Sequence, residues 1–296
     1  MNFDEIAKAI RQRQFLASKP IREIRSVDLQ RNPEIIASRK YNGNFATAVV
    51  DRDAVTFFTS SNLPLVTLAG TSHWQGGEWK EALADATPGT VFLGEIFIPN
   101  KAIEDLGAFQ EWYAWHLNGR TVPHGSALAT FRAFDILASG GKPTHALPYA
   151  QRHQLIPRPL RTEPARYTRL QQASAAIEVS RQLGIEGFVF WDADAPSLCK
   201  LSGQNKPRGG AWKIKPMFTE NFVLLGLVNS EPETFVMRLG NQVTDFKCGS
   251  GLTVAERREL IALHQQGKAI TVSVTHYGYD DQGRPELPSA RAFILA

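Results

Sequence analysis

The opening residues place apolar positions at helical spacing: Ile6, Ile10 and Phe15 recur with Lys8, Arg11 and Arg13 among them, which predicts a short amphipathic helix ending before Lys19-Pro20. That helix would cover an edge of the first domain. Over residues 37–58 the pattern changes to alternation. Phe45, Thr47 and Val49 lead to a polar turn at Asp51-Arg52-Asp53, and Val55 and Phe57 follow, so a β-hairpin is expected with Lys40 just before its first strand. Residues 81–85 read as helix, Pro88-Gly89 as a turn, and 91–98 as a buried strand ended by Pro99-Asn100. A second strand is expected over 131–137, followed by a Gly/Pro-rich loop over 139–148. Helical periodicity over 167–183 leads through Gly184 into a strand over 186–191. Glu95 stands inside one apolar strand and Glu186 heads another, and such acids imply a charged cleft.

A second unit begins near Met217. Strands are expected over 222–228, 234–239 and 269–277, and a helix over 253–265 with Thr253 as N-cap and Glu256 three residues on as the other half of a capping box. About 80 residues of short strands around one helix fit a small Greek-key barrel of the OB type. The predicted fold class is α+β, with antiparallel sheets and helices over 1–217 and a small all-β OB-fold domain over 218–296.

Composition narrows the partners. The 296 residues, 43% hydrophobic and 21% charged, suffice for two globular domains. Lys and Arg total 33 against 29 acids, and the net charge of +4 permits a polyanionic partner. Cys199 and Cys248 lie far apart, without the paired spacing of a zinc ribbon or disulfide scaffold, and read as reduced and structural. The histidines show no ligand-like spacing and are not read as metal sites. Charges interrupt the first 14 residues, so no signal peptide is expected there. The longest apolar stretch, 222–228, falls far short of the roughly 20 residues that span a bilayer, so no membrane partner and a cytoplasmic location are expected.

Candidate chemistry lies in five segments in chain order: Arg39-Lys40-Tyr41-Asn42-Gly43, Leu93-Gly94-Glu95, Ala133-Phe134-Asp135-Ile136, Glu186-Gly187-Phe188-Val189 and Trp212-Lys213-Ile214-Lys215-Pro216. A lone lysine of this kind is more often a surface residue beside a turn. As a nucleophile Lys40 would have to lose a proton held with a reference pKa of roughly 10.4. Neighbouring cations, here Lys213, Lys215 and a divalent metal, would lower that value and stabilise charge building on a phosphate. Glu95 and Glu186 are hard oxygen ligands suited to Mg²⁺ or Mn²⁺, or alternatively partners in a structural ion pair. Phe134 offers a face for a purine, or a piece of core. Lys213 and Lys215 alternate with Trp212 and Ile214, which in a strand directs both ammonium groups to one face; a lysine-protected strand edge is the other reading. Asp135 is expected to orient strands.

Together the five segments resemble the ordered motifs of the covalent lysyl-nucleotidyltransferases, the superfamily of ATP-dependent DNA ligases, RNA ligases and mRNA capping enzymes. The second unit is also similar to the OB domain of ATP-dependent DNA ligases, through Cys248-Gly249-Ser250-Gly251-Leu252-Thr253, the 255–260 helix and Gly283-Arg284-Pro285. The resemblance implies a nucleotidyltransferase (adenylation) domain over 1–217, ATP as cosubstrate with Mg²⁺ or Mn²⁺, and Lys40 as the catalytic residue. It implies Lys40, Glu95, Phe134, Lys213 and Lys215 as the nucleotide-binding set, and Glu95 and Glu186 at the metal. The chain departs from the family pattern at Asn42, Phe45, Leu93 and Trp191, where Asp, Arg, Asp and Lys are usual. The implied activity is a polynucleotide ligase, most directly on nicked duplex DNA, acting as a monomer. An RNA ligase, a capping guanylyltransferase and a non-catalytic nucleic-acid-binding protein are the rivals. Arg120, Arg152, Arg158 and Arg161, in loops, are candidate phosphate contacts, although a solvated loop surface explains them equally well.

Overall fold

Asn2 and Glu5 close a capping box on helix α1 (Phe3–Arg11): Asn2 Oδ1 accepts from the Glu5 N–H at 2.9 Å, and Glu5 Oε2 from the Asn2 N–H at 2.8 Å. In the computed structural model the described residues are all but 1, 18–19, 21–25, 32, 70–73, 100–103, 105, 119–125, 164–168, 198, 202–209, 242–243, 281 and 296. The chain divides into two compact units, Met1–Ile214 and Lys215–Ala296.

In the first unit α1 is followed by β1 (Phe15–Ala17), α2 (Ser26–Arg31), β2 (Ile35–Lys40), β3 (Asn44–Val50), β4 (Val55–Thr59), β5 (Pro64–Thr67), α3 (Glu78–Ala84) and β6 (Thr90–Phe97). Then come α4 (Leu106–Leu117), β7 (Thr130–Ser139), β8 (Lys142–Pro143), α5 (Tyr149–Leu155), α6 (Ala173–Leu183), β9 (Gly187–Asp192), β10 (Cys199–Leu201) and β11 (Ala211–Ile214). A six-stranded antiparallel sheet has the order β5-β4-β3-β6-β7-β8, and a three-stranded one the order β11-β9-β2.

The expected hairpin is β3–β4, with Val50 opposite Val55 across the polar turn. One face of the large sheet buries Phe57, Phe92, Ile96 and Phe131 together with Trp79 of α3 and Trp112 of α4. On the other face Val49, Val91, Leu93 and Leu137 pack with Ile6 and Ile10, so α1 covers a sheet face where an edge was expected. The three-stranded sheet buries Ile35, Ala37, Phe188, Phe190, Trp212 and Ile214 with Ala173 and Ala176 of α6. Strand alternation therefore turns Ser38, Lys40, Val189 and Lys213 the opposite way.

The second unit runs β12 (Phe218–Asn229), β13 (Val236–Gly240), β14 (Asp245–Cys248), α7 (Val254–Gln265), β15 (Ile270–His276) and β16 (Ser289–Leu295). Its antiparallel order is β14-β13-β12-β15-β16, with α7 connecting β14 to β15, the Greek-key connectivity of an OB fold. Phe222, Leu224, Met237, Leu239, Val272 and Val274 form its core with Leu260 of α7. The predicted capping box stands: the Glu256 N–H reaches Thr253 Oγ1 at 3.3 Å, and the Thr253 N–H reaches Glu256 Oε2 at 2.7 Å. Gly251 closes the space between β14 and β16. Its φ is +105°, and a Cβ there would lie 1.9 Å from the Ala290 carbonyl oxygen. Among the described residues no helix is long and apolar enough to cross a membrane.

Candidate active site

Lys40 is the last residue of β2 in the small sheet, and β3 of the large sheet starts four residues later. The segment between them is thus a crossover, and side chains from both sheets converge on it. β2 pairs with β9 so that Lys40 stands opposite Gly187, which brings Glu186 beside it although the two are 146 residues apart in sequence. Lys40 Nζ donates to Glu186 Oε2 at 2.5 Å and to the Tyr41 carbonyl at 3.2 Å. The lysine side chain is 20% exposed and the glutamate 7%.

Gly43 lets the segment pass close to β6. A Cβ on it would lie 2.1 Å from the Ile96 carbonyl oxygen, so no larger residue fits without moving the backbone. Gly94 is confined likewise, with Arg132 O 2.2 Å and the Phe131 ring 2.4 Å from a built Cβ. This close packing holds β6 and β7 together around Glu95, whose cross-strand partners are Phe45 and Arg132. Register on β7 slips between the Leu93–Asp135 and Gly94–Ala133 pairs, which leaves Phe134 as the extra residue of a β-bulge. Bulges re-aim side chains, and this one turns Phe134 towards the cavity side of the sheet.

The resulting cavity, of about 320 Å³, is lined by Lys40, Glu95, Phe134, Lys213, Trp191 and Phe45 among others. That volume lies at the lower end of the range for small-ligand sites. Lys40, Glu95, Phe134 and Lys213 are therefore brought together, with Glu186 bonded to the lysine. Lys215 falls in the second unit. β11 ends at Ile214, and the Lys215 ammonium lies 4.9 Å from the Tyr277 ring centroid in a cation–π contact. Trp191 stacks on Tyr149 at 4.6 Å and on Phe134 at 5.5 Å, while Phe45 lies 6.1 Å from Phe134 and Leu93 is buried beneath α1. Three positions where the resembling family carries charge thus form an apolar wall.

The proton balance on Lys40 departs from the sequence expectation. Burial is the largest single influence and pushes its pKa down, but the carboxylates of Glu186, Glu95 and Glu104 together outweigh it, and the net shift is upward. The neighbouring charges that decide the balance are acids rather than the expected cations. Among the described residues no cluster of three or more His, Cys, Asp or Glu side chains exists to enclose a metal. Glu95 and Glu186 still fit Mg²⁺ or Mn²⁺, because ions of this kind beside phosphates take one or two carboxylates and draw the remaining ligands from substrate and water.

Arg152 is corrected outright. It is 1% exposed, its Nε donates to Asp135 Oδ1 at 2.7 Å and its Nη2 to Asp135 Oδ2 at 3.2 Å, and further bonds reach the Leu147 and Ala195 carbonyls. It anchors α5 to β7 and has no path to a nucleic acid. Asp135, also bonded by Ser197 and the Ile136 N–H, ties β7 to α5 and to the segment before β10 where an orienting role between strands was expected. Arg158 and Arg161, with Arg39 and Arg132, line a broader groove of about 1260 Å³ that shares Arg39, Tyr41 and Thr162 with the cavity. Arg120 lies outside the described residues.

Sequence reasoning did not single out Glu104. It accepts from Arg39 Nη2 at 2.6 Å and from the Asn42 N–H at 3.0 Å, and its segment carries no periodicity or motif that could have marked it.

No family model and no curated protein matches this sequence. Solved structures do match. The chain superposes on a minimal-scaffold Lig E DNA ligase with a TM-score of 0.61 at 16% identity, covering 94% of this chain and 100% of that one. It superposes on a mycobacterial DNA ligase D complexed with ATP at a TM-score of 0.50 and 16% identity, over 95% of this chain and 94% of that one. Pmar-Lig_PreS3 matches at 0.61 and 13% identity, over 94% and 68%. The nucleotidyltransferase and OB-fold architecture expected from sequence is the architecture of this chain.

Proposed function

We propose that the protein is an ATP-dependent polynucleotide ligase that seals nicks in duplex DNA as a monomer. The observation that carries this reading is the cavity in which Lys40 Nζ stands 2.5 Å from Glu186, with Glu95, Phe134 and Lys213 lining the same space. The matched DNA ligases, one of them complexed with ATP, support the same choice of substrates.

In the reaction the Lys40 amine attacks the α-phosphorus of ATP, forming an N–P bond as the bond to pyrophosphate breaks. The AMP then passes to the 5′-phosphate at a nick, which restores the free amine. Finally the 3′-hydroxyl attacks that activated phosphate, forming the phosphodiester and releasing AMP. Lys40 must be neutral for the first step, and its hydrogen bond to Glu186 favours the charged amine until positive charge enters the cavity. Glu95 and Glu186 would hold Mg²⁺ or Mn²⁺, whose positive charge would offset the carboxylates and favour the neutral amine. Phe134 provides the purine-stacking face, and Lys213 the positive charge beside the phosphates. Lys215 would have to leave its Tyr277 contact to take part. Arg158 and Arg161 in the adjoining groove would hold the nucleic-acid backbone, and affinity should then fall with salt.

The test is incubation with α-labelled ATP or GTP and Mg²⁺ or Mn²⁺, alongside Lys40→Ala, reading label on the denatured chain. Label from ATP that is lost in the mutant and chased onto a nicked duplex supports the reading, and RNA nicks run in parallel select between DNA and RNA. Label from GTP alone would indicate capping. No label with any nucleotide, with nucleic-acid binding retained, would identify a non-catalytic binding protein.

A further inference from the structure

Glu104 is 3% exposed, and a carboxylate so hidden from water is costly unless charged or polar donors meet it. Both of its donors belong to the segment that carries Lys40. Its Oε1 takes the Arg39 guanidinium at 2.6 Å, and its Oε2 takes the Asn42 N–H at 3.0 Å. One carboxylate therefore bridges the residue before the lysine and the residue two after it. The Arg39 guanidinium lies 5.2 Å from the Tyr41 ring centroid, and that ring stacks on Phe97 of β6 at 4.3 Å and 10°. Residues 39, 41 and 42 are thus fastened to two groove-lining side chains, Glu104 and Phe97. Lys40, between them, lines the cavity and not the groove.

We propose that Glu104 is the positioning residue for Lys40: by clamping Arg39 and the Asn42 amide it fixes the crossover from β2 to β3, so that the amine enters the cavity at a set place. This rests on the reading of Lys40 as nucleophile. Glu104 lines the groove and not the cavity; beside its charge, a smaller influence on Lys40 than those of Glu186 and Glu95, it acts through the backbone it holds. A displacement of about 1 Å in a reacting group can cost on the order of 10²-fold in rate, which sets the scale of the effect.

The experiment uses the full chain with Glu104→Ala and Glu104→Gln. Three quantities are read: amide hydrogen exchange over residues 38–44 without nucleotide, ATP affinity, and the single-turnover rate of lysine labelling at saturating ATP. Glu104→Ala should speed exchange in that segment and slow labelling by about 10²-fold, with ATP affinity and thermal midpoint close to wild type. Glu104→Gln keeps an acceptor for the Asn42 N–H but no charge for Arg39, and should fall between. Unchanged exchange over 38–44 in Glu104→Ala would overturn the proposal. So would a rate loss matched by an equal loss of ATP affinity and of exchange protection throughout the first unit, since that marks a purely structural role. Absence of label in the wild type would overturn the nucleophile reading alone, and the exchange data would still decide whether Glu104 holds the segment.

Discussion

Replacing Gly43 by alanine tests the geometry of the site without changing any charge. The added Cβ would lie 2.1 Å from the Ile96 carbonyl oxygen, 2.8 Å from Phe97 Cβ and 2.9 Å from the Ile96 carbonyl carbon. Ordinary contact begins near 3.4 Å, and none of these atoms is the far end of a flexible side chain, so the backbone itself must retreat by about 1.3 Å. Overpacking of this kind costs about 1–3 kcal/mol. In a unit of this size the thermal midpoint should fall by roughly 2–12 °C. The retreat carries the Lys40 segment away from β6, which bears Glu95, and labelling of Lys40 at saturating ATP should slow by about 10²-fold. Thermal unfolding and single-turnover labelling measure the two effects. A Gly43→Ala protein with the wild-type midpoint and the wild-type labelling rate would refute the reasoning, because the contact that demands glycine could not then exist.

Arg152→Met leaves Asp135 buried without its cation and should destabilise the first unit by about 3–5 kcal/mol while leaving the salt dependence of nucleic-acid binding unchanged. A lowered salt slope with normal stability would return Arg152 to the surface. Burial, aided by the Arg161 charge, pushes His153 down to about 4, so the folded protein keeps this imidazole neutral where the unfolded chain would protonate it. Its contribution is present above pH 6.5 and is lost as pH falls towards 4, up to roughly 3 kcal/mol; denaturant unfolding across that window should show a flatter profile for His153→Gln. Gly251→Ala combines a positive φ with a clash at Ala290 and should destabilise the second unit by at least about 1–3 kcal/mol, read as an earlier loss of exchange protection over 245–295.

Local signals were legible where the chain satisfies its own hydrogen bonds or alternation. The capping box of Thr253 and Glu256 involves residues three apart, and it located α7 at its observed start. Alternation around the Asp51-Arg52-Asp53 turn located β3–β4, and the apolar run at 91–98 located β6, whose Glu95 lines the cavity. β2 was not legible as a strand of its own, because Ser38, Arg39 and Lys40 break any apolar pattern and the strand exists through its pairing with β9. Arg152 could not be told from its loop neighbours, since only the fold brings Asp135, Ser197 and two carbonyls around one site.

The order and residue types of the five segments, from Lys40 to Lys215, suggested the proposed chemistry by themselves, because an amine, acids, an aromatic face and basic groups are properties of side chains. Where each group stands was decided by pairings between distant segments. The Lys40–Gly187 register brings Glu186 to the lysine, the bulge at Phe134 turns a ring towards the cavity, and β11 ends at Ile214, so Lys213 belongs to the first unit and Lys215 to the second. The charge state of Lys40 also belongs to the tertiary structure, since it is the difference between burial and three carboxylates brought together only by the fold.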